Sequence, residues 1–261
     1  MRVRIVNRRL AEQAVLPSFG DNIFAQVQER CGVQAVVPAP AEGRAANVLR
    51  PAGFQCTGID RITQATPADQ RGVSCLAATA TVVTSAGLRA LHDLRAGDLV
   101  LTRDNGFQPL LWIGHVAGDK AVPMAIEIAA DAIDEGIPSE PLIVSARQRI
   151  LLSCPEIAAQ FGTTEVLARA VDLLHLEGVS EVAAPDSFFA LFFARHEVLR
   201  VNDAWLDTLQ PDAENMRCFS SSQRDAITAL CPRLNALPLE RSYPAARPSL
   251  RRAFARQFQR S

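Results

Sequence analysis

Asp104-Asn105-Gly106 stands between two apolar runs, Leu99-Val-Leu-Thr-Arg103 and Phe107 to Val116. Asn-Gly between such runs is the strongest short-range signal for a β-hairpin, because both central positions of a tight hairpin turn want positive φ. Further short runs follow the same plan. Thr79 to Thr84 is rich in β-branched residues, Pro141-Leu-Ile-Val-Ser145 and Arg149-Ile-Leu-Leu-Ser153 form a second pair, and Phe188 to Ala194 with Val198 to Val201 form a third. Short strands broken by frequent turns predict a mainly β domain, sandwich or barrel-like, from Cys75 to about Asp203. Glu165 to His175 fits either a helix or an irregular approach to a strand.

The two ends differ from this centre. Val33 to Pro51 is rich in Ala, Pro and Gly, and Pro67 to Ser74 is polar, so residues 1–74 read as a leader with loop character. The C-terminal part reads as helical. Ser220 to Cys231 offers serine N-caps and an apolar stripe at Ala226, Ile227 and Leu230, with Pro232 as the stop. Leu250, Phe254 and Phe258 are four apart, which puts them on one face of a second helix with arginines on the others.

Composition excludes several function classes. Hydrophobic residues make up 48% of the 261, enough for a full core. The net charge of −1 gives no electrostatic reason to bind nucleic acid or an acidic membrane surface. No apolar run approaches the roughly 20 residues that span a bilayer, and no secretory signal peptide follows Met1. The expected location is therefore cytoplasmic by default, with signal-independent secretion left open. Cys31, Cys56, Cys75, Cys154, Cys218 and Cys231 show no CxxC spacing, so no metal site, cofactor or disulfide framework is indicated.

Four ordered stretches carry a family resemblance. They are Cys75 to Thr84 with Leu91-His-Asp-Leu-Arg-Ala-Gly-Asp98; Val100 to Gly106 with Leu111-Trp-Ile-Gly114; Leu142-Ile-Val-Ser-Ala-Arg-Gln-Arg-Ile-Leu-Leu152; and Leu191-Phe-Phe-Ala-Arg-His-Glu-Val198 with Tyr243 to Leu250. In order and spacing they resemble the Hint (Hedgehog/intein) domain family, its bacterial branch in particular. The resemblance implies a Hint-type β-fold, horseshoe-like and built of short strands and hairpins, over 75–261 with helices at its C-terminal end. Residues 1–74 then correspond to an extein-like segment.

In that family the first residue of the domain attacks the peptide bond before it. The resemblance therefore implies that Cys75 is a nucleophile acting in cis on Ser74–Cys75, with the chain's own N-terminal segment as substrate. Such a reaction needs a thiolate, although free cysteine titrates near ~8.5. It also needs donors at the oxyanion and a proton for the leaving amine.

Departures from the family pattern bear on that chemistry. The branch reads Ser-Pro-Gln-His-Arg where this chain has Ser145-Ala-Arg-Gln148-Arg149, so Gln148 replaces the histidine expected to protonate the amine. Glutamine donates hydrogen bonds but shuttles no proton near neutral pH. The branch reads Phe-Asp-Arg-His-Glu where Ala194 replaces the aspartate, with His196 and Glu197 kept. No terminal His-Asn pair for asparagine cyclisation is present, so splicing is not expected. Cys75, His196 and Gln148 are the expected site residues. The leading function is autocatalytic cleavage at Ser74–Cys75 by an N–S acyl shift; the alternatives are a degenerate Hint fold retained as a structural or interaction module, and a thiol hydrolase acting on an external substrate through Cys75 and His196. Nothing in the sequence sets an oligomeric state.

Overall fold

A computed structural model describes residues 72–117, 122–153, 157–159 and 162–250. The expectations for residues 1–71 and for Phe254 and Phe258 fall outside these residues. The described chain is mainly β, as the turn spacing predicts, and its strands form two antiparallel sheets.

The first sheet has the order β11-β7-β8-β1-β12-β6, from Leu76–Ala77 (β1), Trp112–Ala117 (β6), Ala125–Ile128 (β7), Leu142–Ser145 (β8), Val179–Val182 (β11) and Ser187–Phe192 (β12). The second runs β10-β9-β14-β13-β2-β4-β5, with β3 paired to β2. Its strands are Thr81–Thr84 (β2), Gly87–Ala90 (β3), Leu99–Thr102 (β4), Gly106–Pro109 (β5), Arg149–Leu152 (β9), Val166–Arg169 (β10), Val198–Val201 (β13) and Ala204–Asp207 (β14). The ambiguous stretch 165–175 resolves into strand β10 followed by a 3-10 turn over Ala170–Leu173.

The predicted hairpin forms as β4–β5, with Thr102 opposite Gly106. Its turn is longer than the two-residue form. Arg103, Asp104 and Asn105 make the turn, and Gly106 alone takes positive φ, at 64°. This is the pattern of a three-residue loop closed by glycine in the left-handed region.

The other two predicted pairs are strands but not partners. β8 pairs with β1 and β7 in the first sheet, whereas the next strand, β9, pairs with β10 and β14 in the second. β12 and β13 part company in the same way. The links 146–148 and 193–197 pass between sheets rather than turning back. The link after β1 does the same, since β2 belongs to the second sheet. Gln148 and His196 lie on two of these crossings, and Cys75 directly precedes β1, the strand that leads into the third.

Alternation along the strands explains why both faces of the first sheet are buried. Leu76, Ile126, Ile128, Leu142, Val144 and Leu191 point into a core shared with Val82, Val100, Ile150 and Leu206 of the second sheet. Ala77, Val116, Ala125, Phe188, Ala190 and Phe192 point the other way, into a second cluster with Phe219, Ile227 and Tyr243. Those last three come from the C-terminal helical region. Each large side chain removed from water there contributes roughly 1.5–3 kcal/mol, which fixes the helices to this face.

The helices are α1 (Ala213–Arg217), α2 (Ser221–Leu230) and α3 (Leu239–Ser242). α2 starts at the predicted serine: Ser220 Oγ accepts from the Gln223 N–H, and the Gln223 side chain accepts from the Ser220 N–H. This reciprocal cap satisfies two otherwise orphan donors. Of the predicted stripe only Ile227 is buried, and Leu230 is 40% exposed. Among the described residues no helix is long and apolar enough to cross a membrane.

Candidate functional site

Ser74 and Cys75 are buried just ahead of β1, although Pro67 to Ser74 reads as loop. Cys75 is held by Ser145, the last residue of β8, on both of its backbone groups. The Cys75 N–H donates to Ser145 Oγ at 3.1 Å, and the Ser145 N–H donates to the Cys75 carbonyl at 3.0 Å. The Cys75 thiol donates to the Val73 carbonyl, with Sγ–O at 3.6 Å. Burial pushes this thiol far above its ordinary pKa, a hydrogen bond from the Ser145 side chain pulls it partly back, and the nearby Cys218 thiol adds to the rise. The resting group is a protonated thiol.

Ser74 is fixed from two other directions. Its N–H donates to Asn215 Oδ1 at 2.9 Å, and its hydroxyl donates to Gln148 Oε1 at 3.0 Å. Asn215 is 1% exposed and lies on α1. Its Nδ2 donates to the Gln210 carbonyl at 2.7 Å, so both ends of the amide are occupied. α1 is itself anchored at its N-cap, Asp212. That carboxylate accepts from the Asn215 N–H and pairs with Arg147 at 3.2 Å.

Gln148 does not stand alone. Its Nε2 donates to the Asp207 carbonyl and to Asp207 Oδ1, each at 2.7 Å. Asp207 ends β14 with its side chain fully buried, and it gathers three neighbours. Oδ1 also accepts from the Arg149 N–H at 3.1 Å, and Oδ2 accepts from Arg149 Nε at 2.6 Å and from His196 Nε2 at 3.1 Å. A buried carboxylate is tolerable on these terms, because a cation and several donors replace water.

His196 is oriented from both ring nitrogens. The Ala246 N–H donates to Nδ1 at 2.9 Å, which leaves the ring proton on Nε2 facing Asp207 and the Thr208 carbonyl. The ring of Tyr243 lies 6.2 Å away, tilted. His196 thus joins Ser74 through Asp207 and Gln148. The neighbouring Glu197 accepts two hydrogen bonds from Asn105 Nδ2, at 3.0 and 2.9 Å, and ties the β4–β5 turn to the crossing.

The expected site residues therefore occupy one connected network, but with a division of positions. Cys75 and Gln148 touch the Ser74–Cys75 segment, and His196 stands behind Asp207. Ala194, where the resemblance implies an aspartate, is exposed. A carboxylate enters the network from another place, the end of β14. Asp207, Ser145 and Asn215 were not singled out in the sequence. Asp207 had one signal: it is an acidic residue inside the apolar run Ala204-Trp-Leu-Asp-Thr-Leu209, and a buried acid needs partners. Ser145 and Asn215 carry no comparable mark. His92, His115 and His175 lie outside the network, bonded to Ala78, Ser187 and Asp172 respectively. Among the described residues no group of three His, Cys, Asp or Glu side chains is arranged to hold a metal.

In chemical terms, the two residues that flank the Ser74–Cys75 bond are held by side chains from β8, the 146–148 crossing and α1. The Cys75 nitrogen donates to the Ser145 hydroxyl at 3.1 Å. A hydroxyl so placed can accept a proton on one side while donating one on the other.

A family model described as Hint domain matches residues 74–213, just over half of the chain. Among solved structures the fold is similar to the gp41-1 intein, at 14% identity and a TM-score of 0.37, over 51% of this chain and 97% of that one. It is also similar to the MchDnaB-1 intein, at 13% identity and a TM-score of 0.33, over 50% and 98%. No curated protein matches the chain.

Proposed function

This chain belongs to the Hint domain family, and from that membership we propose that it cleaves itself once at Ser74–Cys75 by an N–S acyl shift. A domain of this self-processing type acts on the chain in which it sits. The observation that carries the reading is the threefold grip on the two residues that flank the bond: Asn215 on the Ser74 N–H, Gln148 on the Ser74 hydroxyl, and Ser145 on the Cys75 N–H. Holding reactants in fixed register removes much of the entropic part of a barrier.

Cys75 Sγ adds to the Ser74 carbonyl carbon, and the bond from that carbon to the Cys75 nitrogen breaks. The thiol proton passes to the departing nitrogen, with the Ser145 hydroxyl beside that nitrogen as its relay. The product is a thioester between the Ser74 acyl group and Cys75 Sγ, together with a free amine on Cys75. An external thiol or water then takes the acyl group. Asp207 holds Gln148 and His196 in place and makes no covalent bond.

The test is direct. Purified protein incubated with dithiothreitol is expected to release a fragment ending at Ser74, identified by mass, and Cys75→Ala is expected to release none. An intact chain after long incubation at several pH values rejects present-day cleavage.

One observation favours a second reading, a Hint fold retained as a structural or interaction module. The thiol is buried with its proton held, and Gln148 replaces a proton-carrying histidine. Gln148→His separates the two. Cleavage that appears only in this variant identifies the natural chain as a non-cleaving module.

A further inference from the structure

The hydrogen bond between Ser74 and Gln148 makes the site sensitive to the side chain ahead of Cys75. Asn215 and Ser145 grip backbone N–H groups, which any residue but proline supplies. Gln148 instead grips a hydroxyl. The orientation of its amide is not free. Nε2 faces two oxygens of Asp207, and an oxygen placed there would meet only acceptors. Asp207 therefore turns Gln148 Oε1 toward residue 74 as a fixed acceptor. The space is closed as well: Ser74 is 4% exposed, Gln148 2% and Asn215 1%.

We propose that Gln148 is a specificity-determining residue, matched to a small hydroxyl-bearing side chain at the position before the nucleophile. The proposal rests on the cleavage reading above and names its substrate class: a leader ending in serine. Alanine leaves Oε1 buried without a donor. Valine does the same and overfills the space. Aspartate sets a charge against Oε1 and the Asp207 carboxylate beyond it. A site built to hydrogen-bond a hydroxyl discriminates strongly against analogues lacking it.

Two measurements test this, one of which needs no cleavage. In a Cys75→Ala background, thermal unfolding is compared for Ser74→Ala, Gln148→Leu and the double variant. Ser74→Ala is expected to lower Tm by about 2–4 °C with Gln148 present, and by less than about 1 °C with Leu at 148. Equal losses in both backgrounds overturn the match. Gln148→Met, closer to glutamine in shape, takes the place of the leucine variant if that fails to fold.

In the chain with Cys75 intact, Ser74→Val is expected to slow thiol-dependent release at least about tenfold. Adding Gln148→Leu is expected to reverse the order of serine and valine, which a merely structural glutamine would not do. Equal release from Ser, Ala and Val overturns the proposal. Release from none of them sinks the cleavage reading instead, and the unfolding comparison then decides the match by itself.

Discussion

Gln148 donates both side-chain hydrogens to Asp207, one to its carbonyl and one to Oδ1, each at 2.7 Å. Gln148 lies on a crossing between the sheets and Asp207 ends β14, and together they set the orientation of the acceptor that faces the Ser74 hydroxyl. The same carboxylate receives Arg149 and His196, so a change at Asp207 propagates to all three.

Asp207→Asn is expected to cost about 3 kcal/mol or more of stability, because it leaves the Arg149 guanidinium facing a neutral amide in a dry site. Urea unfolding measures it. With the new amide nitrogen at the Oδ2 position, His196 Nε2 keeps only the Thr208 carbonyl as acceptor. In the wild type, nitrogen chemical shifts of that ring should show the proton on Nε2. A proton on Nδ1 is incompatible with the Ala246 contact.

Stability above neutral pH should depend on Cys75. Burial raises its thiol pKa, so the folded chain holds the proton at pH values where the unfolded chain, titrating near ~8.5, has lost it. This contribution is fully present below pH about 8.5 and is lost as pH rises beyond it, by up to about 1.4 kcal/mol per pH unit. Burial shifts Cys218 and Tyr243 in the same direction, so they add to the loss. Urea midpoints between pH 7.5 and 10.5 should fall less steeply in Cys75→Ala. Parallel slopes would contradict the buried neutral thiol.

Removing the grip on Ser74 should loosen that residue first. Asn215→Ala deprives the Ser74 N–H of its acceptor in a buried place, at a cost of about 1–3 kcal/mol. Hydrogen exchange resolved to residues 72–76 should speed up at Ser74 in this variant, with the β4–β5 hairpin unaffected. Unchanged protection at Ser74 would show that the amide is held some other way.

The segment that reaches His196 has its own pH dependence. Arg247, next to Ala246, donates through Nε to Glu165 at 2.6 Å, and Arg103 donates to the same carboxylate. Burial raises the Glu165 pKa, but the hydrogen bonds from Arg103 and Arg247 outweigh it, and the net shift is downward. A depressed carboxylate stabilises above its unfolded value, near ~4.3, and the contribution is lost as pH falls below it. Glu165→Gln should flatten the acid limb of the stability curve below pH about 4.5. It should also speed amide exchange at Ala246, the donor to His196 Nδ1. An acid limb identical to the wild type would sink the assignment.

Local pattern carried much of the architecture. The Asn105-Gly106 hairpin, the Ser220 cap and the strand runs around 142–145, 149–152 and 188–192 are all readable from spacing and turn chemistry. These features depend on neighbours a few residues apart, where periodicity and φ preferences act.

Beyond the β4–β5 hairpin, tertiary structure alone decided which strands pair and what surrounds Ser74. The runs before and after residues 146–148 look like a hairpin, yet they enter different sheets, since both faces of the first sheet are apolar and each strand joins the layer that buries it. That choice places Gln148 on a crossing. The bonds that define the site then span 141 residues to Asn215, 74 from Ser74 to Gln148 and 59 from Gln148 to Asp207. No local propensity encodes a partner at such distances. A buried polar group must find one when the chain folds back, and which one it finds is settled by the packing of the two sheets and the helices over them.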